Sequence, residues 1–69
     1  MMFGGNDEIR TFILNSGLRF FTSDMIRQMS ENKWKQGDIY FVMKEMMFVN
    51  EIELVGKDRD SWGVYEVMK

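Results

Sequence analysis

"ELVGKDRDSWGVYEV", residues 53–67, decides how the chain is read. Two short apolar and aromatic stretches flank a polar, charge-rich turn with glycine near each end, the pattern of a β-hairpin. Ile52 and Leu54 alternate with Glu51 and Glu53, which predicts a half-buried strand, and Tyr65 and Val67 alternate similarly after the turn. Almost everything before this hairpin carries helical spacing.

Working back from the hairpin, "GDIYFVMKEMMF" predicts a helix from about residue 37 or 38 to 48. At about 100° per residue, Ile39, Val42, Met43, Met46 and Met47 share one arc, which belongs to the core. Phe41, Lys44, Glu45 and Phe48 share the opposite arc. The segment "SENKWKQG" interrupts the periodicity, so the preceding helix ends near Asn32. That helix is capped by Thr22 or Ser23, has Asp24 in its first turn, and buries Met25, Ile26 and Met29. "LRFF", residues 18–21, is extended in character and predicts a short strand. A first helix starts at Asn6 as cap, places Ile9, Phe12, Ile13 and Ser16 on one side, and stops at Gly17. Residues 1–5, with Gly4 and Gly5, are expected to form a loose leader before a single domain over 6–69.

Composition narrows the chemistry. The chain has 69 residues, 45% of them hydrophobic and 14% aromatic, enough for one small folded core and too apolar for a disordered chain. It has no cysteine and no histidine, which removes disulfides, thiolate and imidazole zinc sites, and imidazole bases. No stretch approaches the ~20 apolar residues of a membrane span, and the start lacks the pattern of a signal peptide, so an intracellular, cytoplasmic protein is expected. The net charge of −2 gives the whole molecule no attraction for a polyanion, and any nucleic-acid binding needs a local basic surface.

The order helix, short strand, capped helix, turn, helix, hairpin resembles a winged helix-turn-helix domain of the α+β class over about residues 6–68. "FTSDMIRQMS" stands in the place of the second helix, "GDIYFVMKEMMFV" in that of the third, recognition helix, and "EIELVGKDRDSWGVYEV" looks like the wing. The resemblance implies a small transcription regulator that binds double-stranded DNA, its third helix toward the major groove and its wing toward the phosphate backbone. On that reading Lys44 addresses the groove, Lys33, Lys35, Lys57 and Arg59 hold the backbone, and Tyr40 presents its hydroxyl to a phosphate. Carboxylates oppose this: Glu31, Asp38, Glu45, Asp58 and Asp60 are interleaved with the same basic residues. Any binding is therefore expected to be weak or dependent on a dimer.

A reading of another class uses the same helix. Phe41 and Phe48 lie seven residues apart where base-reading helices carry polar side chains, and with Trp62 they form anchors for a protein partner or a homodimer. The bland alternatives are a rotated helix, or Phe48 folded beneath the wing. Trp34 is expected to plug the gap between the second and third helices, a half-buried structural role fits Tyr40, and Trp62 could lie flat on the sheet.

Catalysis is not expected, and no cofactor, metal or small-molecule substrate is implied. "DRDSWGVYEVMK" has Asp58, Asp60, Gly63 and Glu66 at calcium-loop offsets, but Trp62 and Lys69 occupy two required ligand positions. Gly4 and Gly5 lack the context of a phosphate loop. Glu51 and Glu53 are expected to share a solvated strand face, with no pocket to raise a pKa.

Overall fold

The computed structural model describes residues 4–68, with side chains from Asp7 onward. Among these residues the chain forms three helices and three strands: α1 (Gly4–Leu14), β1 (Phe20–Phe21), α2 (Ser23–Met29), α3 (Gln36–Phe48), β2 (Ile52–Lys57) and β3 (Gly63–Val67). The strands make one antiparallel sheet in the order β1-β3-β2. It is a small α+β domain in which α3 packs on α1, α2 and β2.

Each helix ends for a local reason. α1 stops where Ser16 Oγ donates to the Ile13 carbonyl at 2.8 Å and Gly17 takes φ +81°, a left-handed turn that costs glycine little. Thr22 caps α2, its hydroxyl oxygen accepting from the Met25 amide at 3.1 Å. Both α2 and α3 finish in the same reversed turn. After α2, Glu31 N–H reaches Gln28 and Asn32 N–H reaches Arg27; after α3, Asn50 N–H reaches Met47 and Glu51 N–H reaches Met46. Glu31 and Asn50 sit at positive φ, so these two turns use non-glycine residues where glycine is usual.

The core forms where the faces meet. Ile9 and Ile13 of α1, Phe21, Ile26 of α2, Ile39, Val42, Met43 and Met46 of α3, Ile52 and Tyr65 are all buried. This matches the arc expected for α3, with Met47 only partly buried beside it. The ring of Phe21 lies 6.0 Å from that of Tyr65, which couples the short β1 to the hairpin.

Several expectations need correction. Gly4 and Gly5 belong to α1, so the helix begins before Asn6 and the leader does not extend through residue 5; residues 1–3 lie outside the described residues. The first strand covers only Phe20–Phe21, because Leu18 and Arg19 precede the pairing of Phe20 with Glu66. α2 is also shorter than expected and ends at Met29, and Met25 and Met29 are exposed, leaving Ile26 as its buried apolar residue. Leu54 is 51% exposed, and Glu51 precedes the strand and turns to Arg10 instead of sharing a solvated face with Glu53.

The hairpin holds one irregularity that changes its chemistry. Leu54 pairs with Tyr65, but Gly56 pairs with Val64, so β2 advances two residues while β3 advances one. Val55 is the extra residue of a β-bulge. Directly paired residues share a face, so Lys57, opposite Gly63, rejoins the face that carries Leu54, Tyr65 and Val67. Strict alternation from Ile52 would have put Lys57 on the other side.

Candidate functional site

Two hollows flank the outward part of α3. The first, about 560 Å³, runs between α1 and the second half of α3. Phe41, Val42, Met46, Phe48 and Val49 give it an apolar floor and wall, and Asp7, Arg10, Lys44, Glu45 and Glu51 rim it. Phe41 is 54% exposed and Phe48 87% exposed, so neither the rotated helix nor burial of Phe48 beneath the hairpin describes this face. On the rim, Arg10 Nε donates to Glu51 Oε1 at 2.8 Å and a second nitrogen donates to Oε2. That bond, and the charge beside it, raise the Arg10 pKa above its ordinary value. Lys44 and Glu45 form no ion pair among the described residues.

The second hollow, about 500 Å³, lies between the start of α3 and the hairpin. Tyr40, Trp62, Tyr65, Leu54, Lys57 and Gln36 are among its lining residues. The bulge delivers Lys57 here. Gly63 makes the close approach: a Cβ there would stand 3.1 Å from Leu54 Cδ1 and 3.2 Å from the Tyr65 ring. Burial, with a smaller contribution from the adjacent Tyr40 hydroxyl, pushes the Tyr65 phenol up to about 12. Trp62 stands at the margin, 36% exposed.

The basic residues named from the sequence therefore do not converge. Lys44 belongs to the hollow beside α1, with Phe41 and Phe48. Lys57 and Tyr40 line the hollow beside the hairpin, with Trp62. Lys33 lies on a third side, over the Trp34 ring at 5.3 Å and 3.9 Å from Glu8 of α1. Trp34 itself packs edge-on against Phe12, at 5.5 Å, so its ring partner is on α1. Lys35 is exposed at the N-cap of α3, and Arg59 is exposed in the hairpin turn.

Charge pairing sorts the cations further. Arg10, Arg19 and Arg27 pair with Glu51, Glu66 and Asp24, while Lys35, Lys44, Lys57 and Arg59 have no carboxylate partner among the described residues. Asp58 also has a structural task, since its Oδ1 accepts from the amides of Asp60 and Trp62 at 2.9 Å and so shapes the hairpin turn.

Residue-by-residue reading missed one polar cluster. Arg27 donates from Nε to Gln36 Oε1 at 2.9 Å, from Nη1 to Asn32 Oδ1 at 2.7 Å and from Nη2 to Asp24 Oδ1 at 2.7 Å, and Gln36 Nε2 donates to Ser23 Oγ. The cluster fixes the turn between α2 and α3 and hence the direction in which α3 presents its outer face. Its only sequence signal was an arginine three residues after Asp24.

Among the described residues, no helix is long and apolar enough to cross a membrane, and no group of three or more acidic, histidine or cysteine residues could hold a metal ion. Comparison with known proteins found no matching family model, no matching curated protein and no matching solved structure.

Proposed function

We propose that the chain is a protein-interaction module whose contact surface is the outward face of α3. The observation that carries this reading is the exposure of Phe41 and Phe48 on one ridge, above a hollow with an apolar floor. Exposed aromatic anchors beside a concave apolar surface are what protein interfaces select. The same face holds one lysine, Lys44, against the exposed carboxylates of Asp38 and Glu45, a poor balance for phosphate. A photoreactive phenylalanine analogue at position 41 or 48 is expected to give a covalent protein adduct of defined mass in cells, and one at position 31 is not. Absence of an adduct from both 41 and 48 would overturn the reading.

A second reading has an observation of its own. The element order, with β1 added to the hairpin, is compatible with a winged helix-turn-helix, and Lys35, Lys57 and Arg59, at the start of α3 and on the hairpin, have no ion-pair partner among the described residues. A DNA backbone contact by these three, with Tyr40 and Trp62 beside Lys57, is the form of DNA binding that the geometry supports. Lys57→Ala with Arg59→Ala should then lower the slope of log K against log salt by about two. Binding to duplex DNA that ignores salt would count against it.

A further inference from the structure

The outward face of α3 has a symmetry in its charges that names a partner. Phe41 and Phe48 are separated by seven residues and so lie nearly in line along the helix. With that line as the centre, Lys44 falls about 50° to one side and Glu45 about 50° to the other, at ~100° per residue. Both side chains are exposed, and among the described residues neither has an ion-pair partner. The face is thus an aromatic seam with one positive and one negative flank.

We infer that this face docks on a second copy of the chain, through a two-fold pairing of the α3 helices running in the same direction. The inference rests on the interaction-surface reading above and specifies its partner. In such a pair the two-fold axis runs along the seam, so Phe41 meets the second copy's Phe41 and Phe48 its Phe48. Lys44 of one chain then shares a flank with Glu45 of the other, one residue apart in height, and the symmetry repeats the contact on the opposite flank. With the helices running oppositely, the two-fold sets Lys44 against Lys44 and Glu45 against Glu45. Charge complementarity therefore selects a second copy and fixes the direction of pairing. Arg10 takes no part, since Glu51 already holds it.

Charge reversal tests this without touching the core. The chain is expected to dimerise in sedimentation equilibrium over micromolar to millimolar concentrations, the range in which small interfaces associate. Lys44→Glu alone, or Glu45→Lys alone, sets like charges together on both flanks and should weaken the dimer by about tenfold or more. The double variant Lys44→Glu, Glu45→Lys should recover the original association, and an equimolar mixture of the two single variants should form the heterodimer that neither forms with itself. Thermal melts at the lowest concentration check that each variant is folded. A chain that stays monomeric to millimolar concentration overturns the proposal, as does a dimer indifferent to the single reversals, the result for oppositely directed helices or another face. Neither result touches the interaction-surface reading, which fails separately, by the absence of adducts at positions 41 and 48.

Discussion

The two hollows beside α3 use the same kind of residue to opposite ends. Next to the hairpin, Tyr65 is buried because its ring joins the core beside Phe21 of β1, and Trp62 lies at the margin of the hollow. Next to α1, Phe41 and Phe48 stand in the open, because Ile9 and Ile13 of α1 join the core on the buried side and no described residue closes over the ridge. An aromatic ring becomes core or surface according to whether a second element reaches it. The ring itself carries no instruction.

That contrast is most easily broken at Tyr65. Tyr65→Ala should cost about 3–5 kcal/mol, the usual toll of emptying a buried aromatic site, and in a domain this small it should leave a largely unfolded chain in a thermal melt. A loss below ~1 kcal/mol would mean that the hairpin side is no better packed than the other.

The Tyr65 hydroxyl gives a second, pH-dependent measure of the same burial. Its folded pKa is raised from 10.0 to about 12, so the folded chain keeps the phenolic proton where the unfolded chain has lost it. The contribution is complete below pH 10 and is lost as the pH rises from 10 to about 12. At about 1.4 kcal/mol per unit over two units, the full effect is on the order of 3 kcal/mol. Tyr65→Phe should remove this part of the alkaline decline in urea midpoints. Identical slopes for the two proteins would show that the phenol is open to water.

Smaller still is the turn that holds the hairpin over its hollow. Asp58→Ala leaves the amides of Asp60 and Trp62 without their common acceptor. The expected cost is about 1 kcal/mol, read as a lower melting temperature with an unchanged m-value. Amide exchange should quicken first at residues 60–62.

How much of this was legible in the sequence follows from the range of the interactions. The arc of α3, the Thr22 cap, the stop at Gly17 and the existence of the hairpin depend on neighbours within about one helical turn or one strand repeat, and periodicity exposes them. The place of Glu51, and the bulge that turns Lys57 onto the face of Leu54 and Tyr65, were not legible for a different reason. The bulge at Val55 is set by pairing across two strands, and Glu51 turns to Arg10, 41 positions away. The basic residues looked like one surface because the sequence does not reveal that α1 and the hairpin lie on different sides of α3. Exposure of Phe41 and Phe48 was legible from the wheel alone, but the hollow beside them required the position of α1.

The gentlest prediction concerns the open side. Phe41→Ser with Phe48→Ser removes two rings that are more than half exposed, so little area returns to water on unfolding and little packing is lost. At low micromolar protein, where self-association is slight, the melt should move by less than about 0.5 kcal/mol. At high concentration the wild-type chain should gain stability with concentration while the double variant does not, because association draws the folded form forward by mass action. If the variant lost 2 kcal/mol or more at low concentration, the two rings would be supporting the fold, and the contrast between the hollows would collapse.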